Sequence, residues 1–588
     1  NDFKSINECD IYANVNGDYS YIVNVSTCSN SKIHDNESHY YPCIACDTMY
    51  NSEVYKNKGD GGASLSTAYD CKFYQNIEQG VSVSGELSNC EIYQNEYYGI
   101  YASKNSYIRN CKIYQNKESG IRGGILYNCE IYNNPNCGIT ESTAYNCHIY
   151  GNEERGANSS NLYDCIIENN AGGGTGGGSL YNCIIRNNFT VGDGGGCSGG
   201  HLENCKIYNN ESLFDGGGVS GGSVWGCSIF NNKAGGSGGG VSFNGEYYNC
   251  DIYNNYAVSY GGVNLGSYIN CTIANNKTFS GNDNTGNLTN CILIGTFEGG
   301  ASYSAFTDSY IRGDGNFLAT ESELKIKKNT SFIGNASNEK QLEELKNADF
   351  SLLKGSSAID MGGLNSSVPI EDKSGYPRPM GEKNDIGAHE YLSFKTLPYE
   401  NKFDKNPLSI NISGRWKNDK LPGKDDYYLY YDGESYISGY DLKNVTTTFF
   451  DKTVSNKINL SFDVAAKYKT KDQQDKMHII LACLDSDKQD TIMTFSNTDY
   501  IQDLHFSKEI SSWVKNKVFR VLFAIEDSRN SANNYSANTV YCGITNLKIT
   551  KQDASVEVIA EDKVYMYDGK SHAIDYQIND TRVDKKKV

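Results

Sequence analysis

Proline, tryptophan and histidine are scarce in this sequence of 588 residues, which has 8 prolines, 3 tryptophans and 8 histidines. The histidines are scattered, so no HExxH or HxxxH pair provides the ligand spacing of a helix-borne zinc site. A P-loop is also missing, and no apolar run is long enough for a helix that crosses a membrane. These absences leave no strong cofactor motif and predict no direct membrane insertion in this segment.

Positively charged residues are also fewer than negatively charged ones: the sequence has 53 Lys and Arg and 71 Asp and Glu, which gives a net charge of −18. Such a balance argues against nucleic acid and anionic membranes as partners. The sequence begins at Asn1 with no visible signal peptide. We take this as typical of a mature or trimmed secreted protein.

Glycine (60) and tyrosine (46) are abundant, and many tyrosines belong to a recurring phrase, as in Asn128-Cys-Glu-Ile-Tyr-Asn-Asn134. The cysteines of successive phrases recur at a short and nearly constant interval. If Ser replaces Cys, the register extends to Cys9, Ser31, Ser52, Ser309 and Ser331, which predicts about 17 units. The cysteine markers are Cys71, Cys90, Cys111, Cys129, Cys147, Cys165, Cys183, Cys205, Cys227, Cys250, Cys271 and Cys291.

Within each phrase, Cys and Ile are two residues apart, so they share one face of a strand, while Tyr points to the other face. We expect Cys and Ile inside and Tyr outside. Cys then acts as a small apolar filler, with disulfides between neighbouring coils as the alternative. The Asn five residues after Cys, as at Asn95, Asn116 and Asn134, is expected to bond its copy in the next coil.

Short units with Gly-rich turns bury a core only by stacking. Helical periodicity and a leucine-rich pattern are both absent. The sequence therefore predicts an all-β parallel β-helix, a rod of about 80 Å at roughly 4.8 Å per coil. The phrase, followed by a glycine run as in Cys227–Gly240, resembles right-handed β-helix repeats of the pectin-lyase-like superfold. Such repeats occur in prokaryotic surface proteins, polymorphic outer-membrane proteins and polysaccharide lyases.

The segment 349–392 resembles the closing segment of β-helix proteins of the choice-of-anchor Q type. The likeness lies in Asp349–Gly362, Asp372–Pro379 and Asn384–Tyr391, with Ser357 in place of the usual Pro and His389 in place of the usual Tyr. This resemblance implies a β-helix over 1–392. Asp360, Asp372, Arg378, Asp385 and Glu390 cluster here, and we expect them to clamp the end of the helix rather than form a site.

Residues 400–551 contain alternating strands separated by turns and predict a jelly-roll-like β-sandwich, with Cys483 and Cys542 either paired or buried. Asn546–Ile549 resembles the last strand of galactose-binding-like carbohydrate modules. Residues 554–588 resemble the opening strands of a bacterial Ig-like repeat, including its Tyr567-Asp-Gly-Lys570 turn. An Ig-like fold needs about 100 residues, so this domain is incomplete.

The outward tyrosine column is the largest candidate binding feature, because aromatic rings projecting from a sheet can stack on sugars. The alternative is that stacked rings only stabilise neighbouring strands. The candidate binding residues are Tyr74, Tyr93, Tyr114, Tyr132, Tyr150, Tyr208 and Tyr253.

Glu168 and Arg186 replace Tyr on adjacent coils, so they are expected about 5 Å apart, near Asp164, His148 and Lys206. They are the candidate catalytic residues of a polysaccharide lyase or glycoside hydrolase. Lyases of the superfold use a Lys or Arg base and often calcium. The alternative is an exposed ion pair. Asp193 and Asp215 in the glycine-rich loops suggest calcium only weakly, because the spaced Asp ligands of calcium-binding β-rolls are missing.

These features favour an extracellular surface protein of a prokaryote, an adhesin-like rod that binds without catalysis. Its expected partners are glycans or the surface of a host or neighbouring cell. One alternative is a subunit of an extracellular filament or sheath that self-associates through the ends of the β-helix, since no capping helix precedes Cys9. The other is the lyase or hydrolase.

Overall fold

The structure is a computed structural model, and it divides into two compact units: residues 1–379 with 383–391, and residues 380–382 with 392–588. It describes residues 3–17, 19–308, 310–334, 336, 338–363, 368–369, 371–376, 378–380, 383–391, 397–402, 416–421, 424, 426–432, 444–447, 450–451, 457–468, 476–483, 489–496, 501–526, 539–552, 558–560 and 576–578.

The recurring phrase forms one long parallel sheet, here called the repeat sheet. Each strand pairs in register with its copies in the preceding and following coils, as Glu91–Tyr93 does with Lys112–Tyr114. The strands are Asp10–Tyr12, Lys32–His34, Glu53–Tyr55, Lys72–Tyr74, Glu91–Tyr93, Lys112–Tyr114, Glu130–Tyr132, His148–Tyr150, Ile166–Glu168, Ile184–Arg186, Lys206–Tyr208, Ser228–Phe230, Asp251–Tyr253, Thr272–Ala274, Ile292–Ile294, Ala305–Phe306 and Phe317–Leu318.

The rest of each coil belongs to a second parallel sheet, here called the broad sheet. Its strands are Phe3–Asn7, Val23–Ser29, Ile44–Tyr50, Ala63–Tyr69, Val81–Ser88, Ile100–Ala102, Tyr107–Arg109, Ile121–Arg122, Ile125–Tyr127, Ile139–Thr140, Thr143–Tyr145, Ala157–Asn158, Asn161–Tyr163, Thr175–Gly176, Ser179–Tyr181, Cys197–Ser198, His201–Glu203, Val219–Trp225, Val241–Tyr248, Ser267–Ile269, Asn284–Thr289 and Phe297–Ser302. Shorter parallel strands lie at Val15–Asn16 and Glu37–Ser38, and at Phe189–Thr190, Glu211–Ser212, Lys233–Ser237, Tyr256–Ser259 and Lys277–Thr278.

The core between the sheets is one continuous cluster of apolar side chains. The Cys and Ile of each phrase are buried within it, together with Leu, Val and Ala from the broad sheet. The twelve marker cysteines carry free thiols. Cys542 is buried in the core of the second unit, and Cys483 packs against that core. Cys28 and Cys46, which fall outside the repeat, are buried on the broad-sheet side.

The turn after each repeat-sheet strand is held by an asparagine ladder. Asn95 Nδ2 donates to Asn116 Oδ1 at 2.9 Å, and Asn116 Nδ2 donates to Asn134 Oδ1 at 3.2 Å. Each side-chain oxygen also accepts the backbone N–H of the previous Asn, as Asn116 Oδ1 does from Asn95 at 3.2 Å. All three asparagines are buried. Buried amide groups in low dielectric need such partners, which explains why Asn recurs at this position.

The all-β parallel helix is confirmed, but the coil count is lower than predicted: the solenoid has about 14 turns. The last two repeat-sheet strands begin at Ala305 and Phe317, so the steps from Ile292 to Ala305 and from Ala305 to Phe317 are much shorter than those between earlier coils. Ser309 lies outside the described residues. The coil predicted at Ser331 is wrong, because Ser331 is exposed and the neighbouring Ile333 N–H donates to Asn254 Oδ1 at 2.7 Å, so this segment runs across the outside of the turns.

The segment from 319 to 391, here called the closing segment, packs against the last coils. It contains the helices Glu321–Leu324 and Glu339–Lys346 and the antiparallel strands Ile326–Lys328 and Asp349–Leu352. Its apolar side chains, such as Leu345 and Phe350, form a second core with outward residues of the repeat sheet. Arg378 joins the segment to the solenoid, since its guanidinium binds Glu390 at 2.6 Å and Asn249 Oδ1 at 3.3 Å.

The carboxyl of Asp385 in the closing segment predicts a pH dependence of stability. Burial and the nearby Glu390 raise its pKa to about 8, whereas an exposed Asp titrates near 3.9. The folded state therefore binds this proton more tightly, and the stability it contributes is full below about pH 4 and is lost as pH rises to about 8. We expect the thermal midpoint, followed by circular dichroism, to fall between pH 5 and pH 8.

Asp385→Asn is the matched variant, since it cannot titrate. The thermal midpoint of this variant should change less across the same pH range. It can be lower at pH 5, because the carboxyl of Asp385 accepts the N–H groups of Asp360 and Tyr391 and an amide accepts fewer hydrogen bonds. Equal slopes in the two proteins would contradict the assignment to Asp385.

The second unit contains two antiparallel sheets that share one hydrophobic core. One sheet comprises Tyr399–Asn401, Trp416–Lys420, Tyr427–Asp432, Lys457–Tyr468, Ile501–Glu509 and Thr539–Gln552; the other comprises Asn444–Thr446, Lys476–Cys483, Gln489–Ser496 and Phe519–Glu526, and a short helix spans Ser511–Val514. The antiparallel sheets are confirmed, while the jelly-roll order and the carbohydrate-module likeness stay predictions. Of the Ig-like start, only the antiparallel pair Val558–Ala560 and Tyr576–Ile578 is described, and the Tyr567–Lys570 turn lies outside the described residues.

Candidate functional site

The outward tyrosines of the repeat sheet form one continuous row of stacked rings. It runs from Tyr12 through His34 and Tyr55 to Tyr150. The parallel register fixes the order, because every Tyr occupies the same position of its coil. From Tyr55 to Tyr150 the ring centroids lie 4.7 to 5.0 Å apart, and the planes of consecutive rings differ by 1 to 6°.

This geometry changes how the candidates Tyr74, Tyr93, Tyr114, Tyr132 and Tyr150 can bind. Each inner ring has a neighbour on both faces, so its faces are not available to a sugar ring. What the row presents to solvent is ring edges and phenol hydroxyls. Burial against neighbouring rings raises the pKa of Tyr132 to about 12, so this hydroxyl stays protonated and can donate. The row stabilises the coils through aromatic pairs and offers a line of hydrogen-bonding groups.

Tyr208 and Tyr253 do not belong to this exposed row, and their assignment as binding residues is corrected. They are 4% and 3% exposed, and they stack on either side of Phe230 beneath the closing segment. Tyr253 OH donates to the backbone oxygen of Leu345 at 2.9 Å. Sequence reasoning missed this because the phrase is the same in every coil, and only the later segment decides which coils it covers.

A column of alternating charge runs beside the tyrosine row, at the position directly after each marker. It reads Asp10, Lys32, Glu53, Lys72, Glu91, Lys112, Glu130, His148. Neighbours of opposite sign approach one another, as Lys72 Nζ and Glu91 Oε2 do at 3.5 Å. Alternation avoids like charges about 5 Å apart on adjacent strands. The pattern is readable in the sequence once the register is known.

Glu168 and Arg186, the candidate catalytic residues, bind each other directly. Arg186 Nε donates to Glu168 Oε2 at 2.6 Å, and His148 Nε2 lies 2.8 Å from Glu168 Oε1. Arg186 also donates to Tyr208 OH at 3.1 Å. Both carboxylate oxygens of Glu168 are therefore occupied by neighbouring side chains. The network lies between the exposed tyrosine row, which ends at Tyr150, and the aromatic stack that begins at Tyr208 beneath the closing segment.

The electrostatics of this pair favour a structural role. Burial acts to raise the pKa of Glu168, but the hydrogen bonds from Arg186 and His148 outweigh it, and that pKa lies below its ordinary value. The hydrogen bond with Glu168 raises the pKa of Arg186. Glu168 is thus held ionised and Arg186 protonated, which makes the first a poor general acid and the second a poor general base.

A cavity of about 290 Å³ opens beside Arg186, between the repeat sheet and the closing segment. Its charged lining residues are Arg186, Lys206, Lys346 and Asp251. Asp251 Oδ2 is 3.1 Å from both Lys373 Nζ and His389 Nε2. Burial acts to raise the pKa of Asp251, but the interactions with these two side chains outweigh it and lower that pKa. The cavity is rich in positive groups and can take a small anion.

Asp193 and Asp215 join the glycine-rich loops of successive coils. Asp193 Oδ1 accepts the N–H of Asp215 at 2.9 Å, and Asp215 Oδ1 accepts that of Ser237 at 2.6 Å. Within the described part of the chain, no group of three or more His, Cys, Asp or Glu side chains is placed to hold a metal ion. In the same part, no helix is long and apolar enough to span a membrane.

A second aromatic column, missed by sequence reasoning, lies on the broad sheet two residues before several of the markers. Tyr127, Tyr145, Tyr163 and Tyr181 stack at 4.7 to 5.0 Å. Further along, Trp225 stacks on Tyr248 at 3.9 Å. The signal was present, because a Tyr precedes the Asn-Cys pair in several phrases.

The family comparison agrees with this architecture over its most regular part: a family model described as "Right handed beta helix region" matches residues 62–190. This chain contains a right-handed parallel β-helix. No curated protein matches the chain.

Solved structures resemble the chain only distantly. The adhesin domain of Lys-gingipain from Porphyromonas gingivalis W83 is 10% identical, with a TM-score of 0.18, over 26% of this chain and 98% of that one. A mannuronan C-5 epimerase A-module from Azotobacter vinelandii is 12% identical (TM-score 0.21; 53% and 88% covered). A tailspike protein of Acinetobacter baumannii bacteriophage Fri1, a capsular polysaccharide depolymerase, is 10% identical (TM-score 0.19; 90% and 79% covered). At these scores the likenesses indicate no shared activity or ligand.

Proposed function

We propose that this protein is a non-catalytic, extracellular binding protein whose ligand is a glycan. The observation that carries the proposal is the uncovered face of the repeat sheet from Tyr12 to Tyr150, where a row of phenol groups runs beside a column of alternating charge. Both repeat once per coil. A polymer with its own repeat can make the same hydrogen bonds at successive coils, so weak contacts add along its length.

The described chemistry supports binding better than turnover. Glu168 and Arg186 neutralise each other, whereas the hydroxyls of Tyr93, Tyr114 and Tyr132 have no partner among the described residues. Sugars are suited to such a surface because they present many hydroxyl groups and little net charge. The assignments to the choice-of-anchor Q type, to a prokaryotic cell surface and to sandwich and Ig-like modules in residues 400–551 and 554–588 are part of this proposal.

The test replaces hydroxyls while keeping rings. Tyr93→Phe, Tyr114→Phe and Tyr132→Phe combined should leave the stack and thermal midpoint nearly unchanged. Each lost hydrogen bond is worth about 0.5–1.5 kcal/mol, so the affinity for a bound polysaccharide should fall about tenfold or more. A glycan array identifies the polysaccharide, and isothermal titration calorimetry measures the change.

Tyr74→Phe is the matched control, because Tyr74 OH already donates to Glu53 Oε2 at 2.9 Å and is not free for a ligand. Its affinity should match that of the unmodified protein. If the triple variant binds as tightly as the control, the tyrosine face is not the binding surface. If the unmodified protein binds no glycan on the array, the glycan proposal fails as a whole.

A further inference from the structure

Three departures from the repeat meet at one place on the broad sheet. In the aromatic column, Glu203 stands where Tyr181 stands one coil earlier, and Trp225 follows it in register. In the next position, which is Asn in the neighbouring coils at Asn204 and Asn249, the chain has Gly226. Glu203, Trp225 and Gly226 thus differ from the tyrosines and asparagines of the neighbouring coils, and all three lie at one place on the broad sheet.

The first consequence is an indole with one open face. Trp225 stacks on Tyr248 at a centroid distance of 3.9 Å and an angle of 17°. Its other face points back toward the coil of Glu203, and no described ring covers it. Trp225 Nε1 donates to Ser223 Oγ at 2.9 Å, which holds the indole in this orientation. Unlike the inner tyrosines, this aromatic ring can therefore stack on a ligand.

The second consequence is a groove beside the indole. A Cβ at Gly226 would lie 2.6 Å from Asn204 Oδ1, so glycine at this position lets the Asn204 amide come close to the backbone beside the indole. The closing segment builds the opposite wall, where Asn249 Nδ2 donates to the backbone oxygen of Glu371 at 2.7 Å. The groove so formed has a volume of about 610 Å³ and is lined by Glu203, Asn204, Trp225 and Glu371 among others. This volume is in the range of small-molecule sites.

We propose that this groove is a subsite for a neutral pyranose ring. The apolar C–H face of a pyranose packs on the open indole face, as apolar groups do on large aromatic surfaces. Its hydroxyls donate to the carboxylates of Glu203 and Glu371 and bond the amide of Asn204, since ionised carboxylates are acceptors only. Three carboxylates (Glu203, Glu371 and Asp372) line the groove with one lysine, Lys373, which is already paired with Asp251 at 3.1 Å, so an anionic sugar is repelled. The inference rests on the proposed glycan function and gives it a second, separate site.

The test uses tryptophan fluorescence of the full chain, titrated with methyl glycosides of glucose, galactose and mannose and, as the anionic counterpart, glucuronic acid. Trp225 is one of 3 tryptophans in the sequence. We expect at least one neutral glycoside to change the emission saturably, and no change with glucuronic acid. The response should be absent in Trp225→Phe if this indole reports it.

Two variants restore the repeat and so should fold well. Glu203→Tyr places a ring over the open indole face, as elsewhere in the column. Gly226→Asn adds a side chain to the lining of the groove, since asparagine tolerates the positive φ of 62° once the Asn204 amide turns away. Each should weaken binding about tenfold or more, as loss of a central aromatic contact does, with the thermal midpoint kept or raised. Tyr163→Ala is the control, because it removes a ring of the same column outside the groove, and binding should be unchanged.

The outcomes separate the subsite from the wider proposal. If no neutral glycoside alters the emission, or if Glu203→Tyr binds as tightly as the unmodified protein, the subsite is overturned. If polysaccharide binding persists in Glu203→Tyr and is lost in the triple tyrosine variant, that result would support the proposed glycan function and overturn the subsite at Trp225. A response to glucuronic acid equal to that of the neutral glycosides would also overturn the assignment to a neutral sugar.

Discussion

Replacing Asn116 with alanine should lower the free energy of unfolding of the β-helix by about 3–5 kcal/mol, because several buried groups lose their partners at once. Asn95 loses the oxygen that accepts its backbone N–H at 3.2 Å and its Nδ2 at 2.9 Å. The backbone oxygen of Ile92 loses the donor Nδ2 at 3.2 Å, and Asn134 Oδ1 loses another at 3.2 Å. No water can replace these partners in a filled core.

The measurement is denaturant unfolding followed by circular dichroism, with native-state hydrogen exchange to locate the weakened coils. In a solenoid each coil contacts only its neighbours, so loss of protection should centre on the coils of Asn95, Asn116 and Asn134. Asn105→Ala is the control: Asn105 is exposed in a loop of the adjacent coil, and its loss should change stability little. An Asn116→Ala protein as stable as this control would show that the ladder does not hold the turns.

Replacing Arg378 with methionine should destabilise the closing segment by about 3–5 kcal/mol, the usual cost of leaving one member of a buried ion pair alone. The side chains of Arg378 and Glu390 are both 0% exposed, and Arg378 Nη1 lies 2.6 Å from Glu390 Oε1. The guanidinium also donates to the backbone oxygens of Gly387 at 2.9 Å and Asp385 at 3.2 Å. These bonds fold the segment on itself, and the contact with Asn249 attaches it to the solenoid.

The double variant Arg378→Met with Glu390→Met distinguishes charge from packing. It removes both buried charges, so it should recover a large part of the lost stability, and thermal unfolding of the three proteins measures the coupling. Lys327→Met, in the exposed pair with Asp349 at 2.7 Å, is the control and should have little effect. If the double variant is no more stable than the single one, the ion pair is not what Arg378 contributes.

The repeat made the solenoid predictable in detail. Since a strand alternates its faces, the two-residue spacing of Cys129 and Ile131 was enough to place both in the core and Tyr132 outside. Since each coil copies the last, one inference held for the whole regular region. The prediction was wrong at Ser331. This residue continues the sequence pattern, but the steps to Ala305 and Phe317 are short, and the regular coils end before Ser331.

The candidate site was harder to predict from the sequence, because the exposure and the orientation of the rings do not depend on the recurring phrase alone. Tyr132 and Tyr253 occupy identical positions in the repeat, yet one lies on an open row and the other lies under Phe350 and Leu345. Glu168 and Arg186 were correctly expected on adjacent coils, but their spacing could not tell that Arg186 Nε would bind Glu168 directly. The groove at Trp225 needs the closing segment for its second wall, and that wall comes from a part of the chain far from Trp225 in the sequence.

The sequence by itself therefore determined the parallel β-helix, its inward and outward faces and the asparagine ladder, because these depend on local alternation repeated at a fixed period. The tertiary structure alone decided which coils stay exposed, which aromatic faces remain open and where cavities form. These depend on contacts between residues far apart in the chain, where the closing segment folds back over some coils and leaves others bare.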